Sequence, residues 1–275
     1  MFPYITLFGK ISIPLYGSLF TIGFFAALFA ARRMASVFGL TKEDVTYGTM
    51  YGVIGMLIGS KLLYLCTKVP GLVIKFDSVL ESLGKAPWHT IMYVSGYLLG
   101  GFVFYGGLIG TVFGGYRYCK RYRVPFVPFL DIYAPLIPFV HGVGRVGCFF
   151  AGCCYGREYH GFGSVQFPYN ELVPELSAVP RVPVQLIEAV MNFIVCAVLL
   201  AVMKKKKVCP GRLMGVYLIY YTVARFFLEM LRGDVARGSI GFISTSQLIS
   251  ILILPVAIIL VRGKRVERLN ASEVG

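Results

Sequence analysis

The 275-residue chain is poor in charge and poorest in negative charge: 15% of its residues are Asp, Glu, Lys or Arg, and 13 acidic residues stand against 27 basic ones. A soluble globular domain carries about 25% charged residues, so this sequence, 57% hydrophobic with mean hydropathy +0.73, is excluded from that class. It lacks internal repeats, a low-complexity tract beyond the lysine run 204–207, and a polar tail longer than about a dozen residues, which excludes solenoids and long disordered arms. The start Met1-Phe-Pro-Tyr4 has no basic stretch, and Pro3, Gly9, Lys10 and Pro14 interrupt its apolar run. A cleavable signal peptide is therefore not expected, and the first span is expected to stay in the mature protein.

The cysteines form no evident framework. Cys66 and Cys196 lie in or beside apolar runs and Cys119 and Cys209 in basic loops, where inert thiols are expected. Cys148, Cys153 and Cys154 follow a C-x4-C-C pattern that lacks the separated ligand pairs of a structural zinc site. No metal and no cofactor is expected; a disulfide from Cys148 to Cys153 or Cys154 is the favoured reading, with metal binding and plain packing as the alternatives.

What the chain has is hydrophobic blocks of the length that crosses a bilayer, about 20 residues. They fall at 13–31, 46–66, 91–116, 126–143, 183–203, 213–231 and 246–261. This predicts an all-α polytopic membrane protein with about seven transmembrane helices, in one domain of residues 1–275 with a small extracytoplasmic insert at about 151–181. The net charge of +14 does not indicate nucleic acid, because the basic residues cluster at the ends of the blocks. Assigning alternate loops to one side gathers sixteen basic residues there, in the groups beginning at Arg32, Arg117, Lys204 and Arg262, against nine on the other. The excess of positive charge on the cytoplasmic side predicts an outside N-terminus and a cytoplasmic C-terminus.

Ionisable residues inside the blocks are the candidate site. A charge at membrane depth costs roughly 2.5 to 3.5 kcal/mol on insertion scales, so Arg225 and Glu229 must face a partner, a cavity or a polar ligand. Tyr217, Tyr221, Arg225 and Glu229 recur every four residues, with Arg232 and Asp234 just beyond, and so share one helical stripe. A buried Arg-Glu pair that only fixes packing is the bland alternative. His141-Gly-Val-Gly-Arg145-Val-Gly147 contains a formal G-x-G-x-x-G, but it follows a proline-rich span rather than a strand, which argues against a dinucleotide site. Close helix packing and an anion seat beside Arg145 both remain open. Gln185 and Glu188 fall on the early turns of the fifth span, where Glu188 is readable either as a partner for an arginine or a polar substrate group or as part of a solvent-facing helix start. Tyr16 and Tyr105 are phenols beside glycines, readable as ordinary helix contacts. Asp131 and His141 are possible acid-base groups or merely hydrated; His89 and His160 carry no pattern.

Together, Leu15-Tyr16-Gly17, Tyr105-Gly-Gly-Leu-Ile-Gly110, Asp131-Ile-Tyr-Ala-Pro-Leu-Ile-Pro138, Gly144-Arg145-Val-Gly147, Pro183-Val-Gln185-Leu-Ile-Glu188 and Arg225-Phe-Phe-Leu-Glu229 resemble the phosphatidylglycerol-prolipoprotein diacylglyceryl transferases of the bacterial cytoplasmic membrane. The resemblance implies a transferase that moves the diacylglyceryl group of phosphatidylglycerol to the thiol of a lipoprotein-precursor signal peptide's cysteine, forming a thioether and releasing glycerol phosphate. It implies a multi-pass protein of the inner membrane with lipid and peptide, not nucleic acid, as partners. Carried over by position, it implies catalytic roles for Tyr105, Arg225 and Glu229 and substrate-binding roles for Arg145, Tyr16, Glu188, Gly156 and Arg232.

The chain departs from the family's pattern at several positions. Tyr105 stands where the family has histidine, Cys148 and Ala151 where it has asparagine, Cys153 where it has glutamate, and Lys61 where it has arginine. A tyrosine, with a reference pKa near 10, is a poorer base at neutral pH than a histidine near 6.5. The alternatives are a paralogue that transfers a lipid group to another acceptor and a membrane transporter or thiol- or metal-binding protein on the same scaffold.

Overall fold

The computed structural model describes residues 4–7, 11–74, 76–168, 175–204, 209–233, 239–240 and 243–262. Its helices are α1 (Leu15–Met34), followed by a 3₁₀ turn Ala35–Phe38, α2 (Lys42–Ile74), α3 (Phe76–Lys85), α4 (Pro87–Leu99), α5 (Phe104–Tyr122), α6 (Phe126–Tyr133), α7 (Leu136–Ala151), α8 (Glu175–Ala178), α9 (Val184–Lys204), α10 (Arg212–Met230) and α11 (Thr245–Arg262). Two short antiparallel hairpins, β1 (Tyr4–Leu7) with β2 (Ile11–Pro14) and β3 (Ser239–Ile240) with β4 (Ile243–Ser244), are additions the sequence did not announce. Asp234 and the basic residues 205–207, 264, 265 and 268 lie outside the described residues.

The chain is a multi-pass helical membrane protein. Among the described residues, five segments, Leu15–Phe38, Lys42–Gly71, Phe126–Ala151, Val184–Lys204 and Arg212–Met230, are long and apolar enough to cross a bilayer, or six if one bent pair counts as a span. All seven expected blocks carry helix, and two of them depart from a single straight span. The third block is broken: α4 and α5 meet at 57°. Gly101 sits at the break against the ring of Tyr64, where a Cβ would lie 2.2 Å from a ring carbon. The last block gives a shorter apolar helix, Ser246–Arg262. Large apolar residues such as Ile22, Phe25 and Phe29 of α1 are more than half exposed, as a hydrocarbon solvent allows.

Two compact units make up the chain, residues 40–126 and residues 1–39 with 127–275. In the first, Thr41 and Asp44 cap α2 reciprocally: Asp44 N–H donates to Thr41 Oγ1 at 3.0 Å and Thr41 N–H to Asp44 Oδ2 at 3.0 Å. Helices α2 and α5 then pack backbone to backbone through facing glycines. A Cβ at Gly110 would fall 2.0 Å from the carbonyl oxygen of Gly55, and one at Gly106 would fall 2.3 Å from that of Gly59. The glycines after Tyr105 are thus a helix contact, as small residues at membrane helix interfaces are. Lys61 Nζ donates to the carbonyl of Leu99 at 2.9 Å, satisfying an acceptor that the break leaves at the end of α4.

The second unit packs α7 against α1 and α9, and α10 against α9 and α11. Gly147 meets Tyr16 of α1 and Gly142 meets the ring of Phe193 of α9. The G-x-G-x-x-G segment is therefore helical, and Gly142 and Gly147 serve close packing. Asp131 of α6, 1% exposed, receives the N–H groups of Gly211 at 2.5 Å and Met214 at 2.9 Å. Its carboxylate caps the N-terminus of α10, where the helix dipole favours a negative charge. A core of Ala134, Leu199, Met203, Leu213, Met214 and Tyr217 fills the space beside it.

Candidate active site

The carboxylate of Glu188, 2% exposed, lies on the second turn of α9. Arg145 of α7 grips it: Nε lies 2.9 Å from Oε2 and Nη2 donates to Oε1 at 3.0 Å. His141, one helical turn before Arg145 on α7, places Nε2 3.1 Å from Oε1 of the same carboxylate. The spacing of four residues puts the imidazole and the guanidinium on one face of α7, and the Gly142 contact lets that face approach α9. Asn192 Nδ2 donates to the Glu188 carbonyl at 2.8 Å.

The stripe on α10 forms as its spacing requires. Arg225, 7% exposed, pairs through Nη2 with Glu229 Oε2 at 2.6 Å and donates to Ser246 Oγ at 3.4 Å. Its Nη1 is buried without a hydrogen-bond partner among the described residues. The rings of Tyr217 and Tyr221 lie 6.2 Å apart, and His141 lies 6.2 Å from Tyr221. A small cavity, about 10 Å³ for the centre of a water molecule, is lined by His141, Glu188, Asn192, Tyr221, Arg225 and their neighbours. It has room for about one water. Each arginine thus has its own glutamate, which offsets the mutual repulsion of the two cations without a bound anion.

Beside this polar pocket runs an apolar groove of about 470 Å³ between α9 and α10, lined by Ile187, Met191, Ile219, Val223, Phe227 and Leu231. Tyr220, Ala224 and Leu228 line both spaces. Ions and hydrocarbon therefore meet on one wall of α10.

The end of α7 is shaped by its cap. Gly152, at φ 68°, donates to the carbonyl of Phe149 at 3.2 Å, and Cys153 N–H donates to that of Cys148 at 3.1 Å. This is the Schellman pattern, which folds the second residue past the helix over the last turn. It lays Cys153 over Cys148. Cys154, a non-glycine at φ 57°, turns the chain again, and the three Sγ atoms come within 4.8 Å of one another. All three are free cysteines, so the disulfide expected from Cys148 is not the arrangement found. Hydrogen bonds from Cys148 and Cys153 hold the Cys154 thiol well below the ordinary cysteine range, against burial and with help from Arg232 and Arg145. Gln185, fully buried, donates to the Cys153 carbonyl at 2.8 Å.

Gly156 and Arg232 meet as a backbone bridge, with Arg157 N–H donating to Leu231 at 2.9 Å and Gly156 N–H to Val182 at 3.2 Å. A Cβ at Gly156 would lie 2.4 Å from the Val182 carbonyl oxygen, so this position ties the cysteine turn to the ends of α9 and α10. Tyr16, 44% exposed at the start of α1, interacts electrostatically with the three cysteines and Arg145. Of the expected site residues, Arg145, Glu188, Arg225, Glu229, Tyr16, Gly156 and Arg232 all belong to this unit. Tyr105, in edge-to-face contact with Phe104, belongs to the other. Asn192, Tyr220 and Ser246 join the site without having been singled out for it, while His141, read as an acid-base group or merely hydrated, joins it as a partner of Glu188; the His141-to-Arg145 interval of one helical turn was the signal available for placing the histidine.

Residues 3–262 match the family described as prolipoprotein diacylglyceryl transferase. Among curated proteins, the phosphatidylglycerol-prolipoprotein diacylglyceryl transferase of Clostridium tetani is 31% identical over 252 residues, covering 92% of this chain and 93% of that protein. The protein named phosphatidylglycerol-prolipoprotein diacylglyceryl transferase 2 of Clostridium perfringens is 31% identical over 252 residues, at 90% and 89% coverage. The transferase of that name from Aeromonas hydrophila is 29% identical over 246 residues, at 88% and 82%.

Proposed function

We propose, for a chain that belongs to the prolipoprotein diacylglyceryl transferase family, that it transfers the diacylglyceryl group of phosphatidylglycerol to the cysteine thiol of a lipoprotein-precursor signal peptide. The thiolate attacks the glycerol carbon that carries the phosphate; a C–S bond forms, the C–O bond breaks, and glycerol phosphate leaves. The observation that carries this reading is the shared wall of α10: a polar pocket lined by His141, Glu188 and Arg225, with Arg145 paired to Glu188 and Glu229 to Arg225, adjoins an apolar groove through Tyr220, Ala224 and Leu228. A phospholipid has the same two-part chemistry, and its acyl chains match the groove while its phosphate matches the cations.

Arg145 and Arg225 hold the departing phosphate, since a planar guanidinium presents paired donors to phosphate oxygens and stabilises charge that grows in the transition state. The unpartnered Nη1 of Arg225 supports its part. Glu188 orients Arg145 and His141, and Glu229 orients Arg225. Arg232 adds positive charge beside the cysteine turn, Gly156 positions it, and Tyr16 borders the acceptor side. Tyr105 takes its role from the resemblance alone, as a hydroxyl at the family's histidine position. The basic loops argue for an outside N-terminus and a cytoplasmic C-terminus, and the family resemblance implies residence in the inner membrane, with residues 1–275 working as one transferase domain.

The test is release of labelled glycerol phosphate from phosphatidylglycerol by protein reconstituted with a lipoprotein-signal peptide. Arg145→Gln and Arg225→Gln are each expected to lower the rate at least about 100-fold, the scale of losing a preorganised donor. Unchanged release in both would contradict the clamp.

A further inference from the structure

Cys148, Cys153 and Cys154 belong to the cysteine turn and not to the arginine-glutamate cluster, and the transfer reaction as set out above leaves them unused. Their spacing in sequence does not resemble a zinc motif, yet the fold gathers them. The Schellman cap stacks Cys153 on Cys148, and the left-handed backbone of Cys154 at φ 57° brings in the third sulfur. A non-glycine residue held in that region is strained, and such strain persists where the surroundings determine it. A disulfide would use two of the sulfurs and leave one over. A soft or borderline metal ion uses all three.

We propose that Cys148, Cys153 and Cys154 bind a zinc ion whose fourth position takes the acceptor cysteine of the precursor peptide. With Zn–S distances of about 2.3 Å, tetrahedral geometry needs sulfurs about 3.8 Å apart. They already lie within 4.8 Å of one another, so a closure of about 1 Å completes the set. The cluster is closed behind and open in front: Cys148 is 8% exposed, while Cys154 is half-buried and Cys153 exposed. Three protein ligands with one open position is the arrangement of catalytic rather than structural zinc. Three thiolates leave the site with net negative charge, and a fourth adds to it. Arg145 and Arg232, both close enough to interact electrostatically with Cys154, offset that charge.

The chemistry matches what the reaction lacks. This inference rests on the transfer reading above, in which the acceptor thiol must be deprotonated before it attacks, and a tyrosine at position 105 is a poor base for that at neutral pH. A thiol that coordinates a metal is deprotonated outright. The peptide thiol binds at the fourth position and gives its proton to water; the bound sulfur attacks the glycerol carbon; the C–O bond breaks and glycerol phosphate leaves toward the arginines. The product thioether is neutral and a weaker ligand, so it departs and reopens the site. No electron transfer is involved. Zinc is preferred to copper(I), which three thiolates satisfy without a fourth ligand, and zinc has no redox chemistry to compete.

The experiment is metal analysis and X-ray absorption on the full-length reduced protein, purified in detergent and supplied with zinc. The expected result is one zinc per chain with three sulfur neighbours. A cysteine-containing signal peptide raises the count to four, and its Cys→Ser analogue leaves it at three. Cys148→Ser, Cys153→Ser and Cys154→Ser each lose stoichiometric zinc, whereas Cys66→Ser retains it. The proposal is overturned by reduced protein that binds no zinc, by a shell that does not change with the peptide, by copper(I) binding in zinc's place, or by a mapped disulfide among the three cysteines. Full transfer by metal-free protein would also overturn it and leave the transfer reading standing. Zinc with a four-sulfur shell but no thioether product would instead contradict the transfer reading and leave the metal site standing.

Discussion

Arg145 and Glu188 join α7 to α9 through two contacts, 2.9 and 3.0 Å, and His141 shares the same carboxylate at 3.1 Å. One buried acid thus serves two bases from a single helical face. Removing it strands both. Glu188→Ala is expected to lower stability by about 3 to 5 kcal/mol, the scale of breaking a buried pair from one side, read as a large drop in melting temperature in detergent. Glu188→Gln keeps hydrogen-bonding atoms and is expected to lose less. A melting temperature unchanged by Glu188→Ala would mean that the carboxylate is not the hub described here.

Arg225 is expected to tolerate lysine poorly. The lysine ammonium keeps the charge but lacks the planar fork that allows one guanidinium to hold Glu229, reach Ser246 and still present Nη1. Arg225→Lys should lower the rate of glycerol phosphate release by about 100-fold while the far-UV helical signal stays intact. Wild-type turnover in this variant would remove the requirement for paired donors.

Asp131 is expected to behave as a structural residue. Its carboxylate caps α10 through Gly211 and Met214, so Asp131→Asn should cost about 1 to 2 kcal/mol of stability with the KM for phosphatidylglycerol unchanged. A selective rise in KM without loss of stability would instead bring Asp131 into the lipid site.

Topology is testable at Cys209. Cys119 is buried and so reports poorly, whereas Cys209 is half-buried, just before Gly211. A membrane-impermeant maleimide is expected to label Cys209 only after the cells are opened. Labelling in intact cells would reverse the orientation read from the basic loops.

How much of this was legible depended on whether the deciding interaction was local. Helical spacing put Tyr217, Tyr221, Arg225 and Glu229 on one stripe, and the Arg225–Glu229 pair follows from it at 2.6 Å. The glycines after Tyr105 read as a helix contact and are one. An arginine partner for Glu188 was among the readings of the sequence, but which arginine was not legible, because Arg145 lies on another helix and no local rule brings the two together; His141, read as an acid-base group or merely hydrated, lacked its partner for the same reason. Asp131 looked like a possible acid-base group because its partners are backbone amides eighty residues away in sequence. The third block read as one span since its composition is uniformly apolar, while the break depends on Gly101 yielding to Tyr64 of α2. The disulfide expected from Cys148 rested on spacing and compartment, and the three cysteines are free. Gly152 following an apolar helix was a signal for a Schellman cap, and that cap is what brings Cys153 over Cys148.

The central claim, transfer of a diacylglyceryl group to a cysteine thiol, is tested most directly by mass spectrometry of a lipoprotein-signal peptide incubated with the purified protein and phosphatidylglycerol of defined acyl chains. The account predicts a product heavier by one diacylglyceryl group, carried on the cysteine sulfur as a thioether, with glycerol phosphate formed in equal amount and no product from the Cys→Ser peptide. An unmodified peptide in the presence of active, folded protein, or a lipid group attached to any atom other than that sulfur, would contradict it.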